Sequence, residues 1–144
     1  MTVERQIEDW ELLAHVCQAY RGLSDEFMDR IAMHRAQAAL LCQLYVHEGV
    51  TQSEIGEQLA VQGATVTNIL QRMEETGLVV RRRDLDDNRL VRVYLTDAGR
   101  QNERAITEQF LKLQGAVFEG IREPDREVLR RLLQRMLNNM TAKV

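Results

Sequence analysis

Proline is almost missing from this 144-residue chain: Pro124 is the only one, and there are eight glycines. So few helix breakers exclude collagen-like and low-complexity readings and favour helices. Two cysteines, Cys17 and Cys42, are too few for a disulfide framework or a cysteine-rich metal centre. A reducing, cytoplasmic location is the expectation. No apolar run approaches the roughly 20 residues of a membrane span, so no membrane partner is expected. The stretch Met1 to Trp10 has neither a basic start nor an apolar core, and does not read as a secretory signal. No glycine-rich phosphate loop, nucleophile elbow or paired-carboxylate motif is present, so neither an enzyme nor a cofactor is expected. The three histidines, His15, His34 and His47, lack i, i+4 spacing and a Cys/Asp cluster, so no metal site is expected.

What the chain does have is 44% apolar and 28% charged residues, the balance of one globular domain. Net charge is −3, which taken alone argues against nucleic acid. Its distribution argues otherwise. Residues 1–34 hold three Arg against seven Asp/Glu, and residues 100–144 hold nine basic against six acidic side chains. Between Arg81 and Arg92 there are five Arg and three Asp. Lysine occurs only at Lys112 and Lys143, so the positive charge is nearly all guanidinium, the better phosphate ligand.

Apolar periodicity places the helices. Leu13, Cys17, Tyr20, Phe27 and Ile31 form one stripe of a long helix from about Val3 to Ile31, with acids in its first turns. A second helix, about Arg35 to His47, is apolar nearly all round and belongs at the centre. Thr51 and Glu54 fit a capping box that opens a short helix ending near Ala60. After Val61-Gln62-Gly63 a further helix, Ala64 to Thr76, turns Val66, Ile69, Leu70 and Met73 inward and stops at Gly77. Two helices joined so tightly, the second polar outside, have the shape of a helix-turn-helix. Strands Leu78–Asp84 and Leu90–Thr96 then flank a polar tip, Leu85 to Arg89, and make a wing. Thr96 or Asp97 caps another long helix carrying Ile106, Phe110, Leu113, Val117 and Ile121. A last helix from Pro124 carries Val128, Leu129, Leu132, Leu133, Met136, Leu137 and Met140. The predicted fold is mainly α with a small β-hairpin wing: a winged helix-turn-helix, residues 35–99, with long terminal dimerisation helices, 1–34 and 100–144, in one domain. The terminal stripes exceed what one small monomer can cover, and obligate homodimers bury such surfaces.

The outer face of the second motif helix shows Thr65, Thr67, Asn68, Gln71 and Arg72. Amide and guanidinium groups read adenine and guanine edges in the major groove. For one isolated helix a solvated surface is the better explanation. The capped helix before it and the arginine hairpin after it reverse that judgement. Arg81 and Arg83 share a strand face along the phosphates, and Arg89 at the tip reaches toward a narrow minor groove. Asp87 reads as an ion-pair brace for Arg89.

Asp87-x-Arg89-x-x-x-Val93-x-Leu95-Thr96, preceded by a helix-turn-helix ending in Gly77-Leu78-Val79, resembles the MarR family of winged-helix transcriptional regulators. The resemblance spans about residues 37–99 by motif and the whole chain by helix order. It implies a homodimer on a pseudo-palindromic duplex operator, repression, and release by a small anionic or aromatic ligand. It also implies a phosphate contact at Ser53 and a wing-tip role for Arg89. Gln62 departs from the family, standing where a good N-cap is usual. The junction of the dimerisation helices with the winged lobe puts an effector pocket near His15, Tyr20 and His34. Three rival readings remain at this level: a redox-responsive regulator using Cys17, with Cys17 otherwise a small hydrophobe of the first stripe; a winged-helix protein-interaction module; and a small-molecule-binding protein or enzyme.

Overall fold

The computed structural model of the chain describes residues 5–142. Helix α1 spans Asp9–Asp29, with Asp9 and Glu11 in its first turn, where acids suit the helix dipole. The start expected at Val3 lies outside the described residues. Only the far end of α1 is packed: Ser24, Phe27 and Met28 are buried, whereas Trp10, Leu12, Val16 and Tyr20 are exposed. Helix α2, Arg35–Val46, runs through the centre and buries Ala38, Leu40, Leu41 and Leu44.

Strand β1 is only Val50–Thr51. Thr51 also caps α3, Gln52–Leu59: its hydroxyl accepts from the Glu54 N–H at 3.2 Å, and the Glu54 carboxylate accepts from the Thr51 N–H at 3.0 Å. The capping box read from the sequence is therefore complete. Helix α4, Gly63–Glu75, buries Val66, Leu70 and Met73. Gly77 follows with φ +76°, the left-handed geometry that makes glycine the natural residue after a helix end. Strands β2, Val79–Arg83, and β3, Val91–Leu95, pair antiparallel with Arg81 opposite Val93. The predicted hairpin gains a third strand, because β1 pairs with β3 through Val50 and Val93, giving the order β1-β3-β2. Two residues leave no periodicity to read, so β1 was invisible in the sequence.

The long helix expected after Thr96 is split. Helix α5 is Asp97–Gln101, Asn102 intervenes, and α6 is Glu103–Val117. The Thr96 hydroxyl accepts from the Gly99 N–H at 3.1 Å and donates to the Gly77 carbonyl at 2.5 Å. A Cβ at position 99 would collide with the Leu78 carbonyl oxygen, so α5 approaches the α4–β2 turn as closely as only glycine permits. The Tyr45 hydroxyl donates to the Gly99 carbonyl at 2.6 Å, and burial pushes its pKa up to about 12, keeping it a donor. Glu48 accepts from the Leu95 N–H and from Arg100, tying the end of α2 to α5. The terminal helix α7, Asp125–Thr141, buries none of its residues. One core thus joins α2, α3, α4, the sheet and the start of α6, while the outer parts of α1 and α7 stand clear of it.

Candidate nucleic-acid interface

Helix α4 turns Val66, Leu70 and Met73 inward, which leaves Ala64, Thr65, Thr67, Asn68, Gln71 and Arg72 exposed. Helical geometry sorts these residues into three lines. Asn68 and Gln71 occupy the middle of the outer face, where the Gln71 amide donates to Glu75 at 3.4 Å. Thr67 lies on the α3 side; its hydroxyl donates to the Gly63 carbonyl at 3.0 Å and accepts from the Gln52 amide at 3.4 Å. Thr65 and Arg72 lie on the α2 side, lining a notch with His34, Gln37, Asn68 and Ile69. Ser53 is exposed in the first turn of α3. Gln62 takes the N-cap position of α4 but makes no side-chain cap bond. Gln52 and Gln37 adjoin this surface and were missed in the sequence: one hides behind an N-cap, the other within an apolar helix.

The wing is braced at every turn. Arg89 grips Asp87 through Nε–Oδ1 at 3.0 Å and Nη2–Oδ2 at 3.1 Å, yet its side chain remains 89% exposed. Arg92 grips Asp84 at 2.5 Å and also donates to the Gly49 carbonyl at 2.8 Å, which anchors the wing to β1. The free oxygen of Asp84 accepts the Asp86 and Asp87 N–H groups. Arg83 donates to the Asn88 carbonyl at 2.7 Å. The hydrogen bond from Arg92, then those from the two backbone N–H groups, hold the Asp84 carboxyl below the usual carboxylate range. Arg89 does the same for Asp87, and both arginines are correspondingly raised. Two of the three wing acids are therefore neutralised by guanidinium, which weakens their repulsion of phosphate.

Arg81 is tied to the helix as well. It shares a strand face with Arg83, but its guanidinium and its backbone N–H both donate to Glu74 at 3.1 Å, so it fastens β2 to the end of α4. Those two hydrogen bonds pull the Glu74 carboxyl down. The opposite face of β2 carries Arg82, stacked over the Tyr94 ring.

A cleft of about 530 Å³ lies where α1 meets the winged lobe. Tyr20 and His34 line it, together with Arg21, Ser24, Arg35 and Phe110. His15 is exposed elsewhere on α1 and is not part of it. Cys17 is also exposed rather than packed as a core hydrophobe. Cys42 is half-buried; burial, and then the charge of Glu103, raise its pKa. Among the described residues no group of three or more Asp, Glu, His or Cys side chains could hold a metal ion, and no helix is long and apolar enough to cross a membrane.

The MarR family model matches residues 33–91. An organic hydroperoxide resistance transcriptional regulator of Bacillus subtilis (strain 168) is 31% identical over 105 residues, covering 73% of this chain and 68% of that one. The chain belongs to the MarR family. Two of the solved structures similar to this chain, each 25% identical to it, hold DNA. The MepR–DNA complex of S. aureus has a TM-score of 0.85 over 93% of this chain and 99% of that one. A cysteine-to-serine mutant of E. coli MarR with operator DNA has a TM-score of 0.79 over 88% and 91%. MarR proteins are transcriptional regulators, not enzymes. The winged helix-turn-helix fold expected from the motif is thus the fold found.

Proposed function

We propose that this chain is a homodimeric, sequence-specific binder of duplex DNA that represses transcription and is released by a small ligand. The observation that carries the reading is the pairing of one polar helix face with one braced cationic tip. Asn68 and Gln71 offer amides to base edges, while Arg83 and Arg89 sit on a hairpin already held by Asp84, Asp87 and the Asn88 carbonyl. A preordered arginine loses little freedom on binding. Ser53, Thr65, Thr67 and Arg72 flank the same face, and Arg81, fastened to Glu74, stands beside it on β2. Selecting bound duplexes from a random pool tests the reading and supplies the operator. A pseudo-palindrome with half-site centres roughly 10 bp apart is expected of a two-fold dimer. Arg89→Ala should weaken all operators alike and make the salt dependence shallower by about one counterion per half-site. Asn68→Ala and Gln71→Ala should relax base preference at one position each by about 1–3 kcal/mol. Unchanged salt dependence in Arg89→Ala would remove the wing from the groove.

The dimer rests on the uncovered apolar faces of α1, α6 and α7, and the effector on the cleft beside Tyr20 and His34. Arg35 there is already paired with Asp25 at 2.7 Å, whereas Arg21 makes no ion pair among the described residues, so an anionic aromatic ligand would find one free guanidinium. Binding there changes DNA affinity only by as much as it differs between the spacings of the two recognition helices. Release of a labelled operator by benzoate-type anions at millimolar concentration tests it.

The exposure of Cys17 favours a second reading, a redox response, since an accessible thiol is the one an organic hydroperoxide reaches. The thiolate would be oxidised to a sulfenic acid and the peroxide reduced to its alcohol. Loss of operator binding on peroxide treatment in the wild type, retained in Cys17→Ser, supports it; equal behaviour of the two removes it.

A further inference from the structure

The notch on the α2 side of the recognition helix is a cavity of about 280 Å³ lined by His34, Gln37, Thr65, Asn68, Ile69 and Arg72. Five of the six are polar, and their side chains come from two different helices. Several long polar side chains elsewhere around the recognition surface are engaged: Arg81 with Glu74, Arg83 with Asn88, Arg89 with Asp87 and Gln71 with Glu75. In the notch they are free. Among the described residues, Gln37, Asn68 and the Arg72 guanidinium make no hydrogen bond or ion pair. His34 makes a single contact, in which its Nδ1 accepts the Ala36 N–H at 3.1 Å to cap α2. A neutral imidazole that accepts at Nδ1 carries its proton on Nε2, so the other end of the ring is a donor. Arg72, Gln37, Asn68, Thr65 and His34 together set N–H and O–H donors around one opening, and no carboxylate lines it.

We infer that this notch seats a backbone phosphate of the bound operator, with His34 and Gln37 of α2 joining Arg72 and Thr65 of α4 as phosphate-positioning residues. The inference rests on the DNA-binding reading above and extends the interface beyond the helix-turn-helix and wing to the start of α2. The geometry favours phosphate over a base edge. Thr65 and Arg72 lie off the centre of the outer face held by Asn68 and Gln71, on the side where a helix lying in the major groove meets the groove wall. Clamping one phosphate from two helices would fix the roll of α4 in the groove.

Gln37 provides the decisive test, because it is the third residue of α2 after the His34 cap. A glutamate at that position suits both the helix dipole and a capping box, so it should hold or raise stability. At the mouth of a phosphate seat the same glutamate repels. Gln37→Glu is therefore expected to keep or raise the thermal midpoint while weakening operator affinity about tenfold, equally on matched and mismatched duplexes. Gln37→Lys is expected to bind several-fold tighter, with the salt dependence steeper by about one counterion per half-site. His34→Gln should weaken binding less than Gln37→Glu does. A merely structural role would move stability and affinity in the same direction. Gln37→Glu and Gln37→Lys binding the selected operator like the wild type, with unchanged salt dependence, would overturn the inference alone. A wild-type chain that enriches no duplex would overturn the DNA reading and the inference with it.

Discussion

Leu40, Leu41 and Leu44 on α2 are at most 1% exposed, whereas Leu132, Leu133 and Leu137 on α7 are 44–47% exposed. Both helices carry a leucine-rich stripe, yet only one has been given something to bury it against. The winged lobe closes its core within the chain through α2, α3, α4 and three short strands. The terminal helices hold Trp10, Leu12, Val16, Leu111, Val128, Leu132, Leu133, Leu137 and Met140 in the open. Exposed apolar area on that scale marks an association surface in a folded protein. The contrast divides the molecule into a part stabilised by its own contacts and a part whose apolar faces stay open, which the proposed dimer would cover.

The sharpest way to break the contrast is the double substitution Leu132→Asp and Leu133→Asp. It should abolish the dimer, seen as a halved mass in sedimentation, and reduce operator binding to the weak affinity of a single half-site. A persistent dimer would mean that α7 is not in the interface. In the lobe, Leu41→Ala should cost about 2–5 kcal/mol in urea unfolding, since it opens a cavity in a closed core. If the proposed dimer forms, the melting point of the wild type should rise with protein concentration, since binding between folded copies stabilises them by mass action. A smaller effect is expected for Thr51→Ala, which removes half of a capping box: about 0.5–2 kcal/mol, with no change in dimerisation.

The smallest effect is in pH. Asp84 and Asp87 have folded pKa values below their unfolded ones, so their contribution is full above the usual carboxylate range near pH 4 and is lost as pH falls through the folded values. Arg92→Gln returns the Asp84 carboxyl toward its ordinary value, and the loss of stability on acidification should become shallower. Matching urea midpoints for both proteins at every pH would show that the wing brace does not contribute. Glu48 behaves similarly: burial pushes its pKa up, but the hydrogen bond from Arg100, the Leu95 N–H and the Arg100 charge outweigh it.

Features set by near neighbours in the chain were legible. Thr51 and Glu54 stand three apart and can only meet in a first helical turn; Gly77 ends a stripe; Asp87 and Arg89 are close enough to pair in any turn. The outward face of α4 followed from periodicity alone. Features set by distant partners were not. Arg81 reads as one more arginine of a basic strand until Glu74, seven residues back, is found beside it. Cys17 and Tyr20 share a stripe with Phe27, but only Phe27 reaches the packed end of α1, while Cys17 and Tyr20 are exposed. His15 and His34 both looked close to the junction, and only His34 lines the cleft. The notch beside Arg72 was equally hidden, because His34 and Gln37 reach it from another helix.

By itself the sequence determined the periods, caps and stops, and with them the helix order and a wing, because these depend on backbone geometry and side chains within a turn or two of each other. The tertiary structure alone decided the short strand Val50–Thr51, the break at Asn102, the close approach of Gly99 to Leu78, and which polar groups are engaged and which stay free. Those outcomes depend on which surfaces the core brings within hydrogen-bonding distance, and a donor such as the Arg72 guanidinium carries no local mark of whether a distant acceptor will reach it.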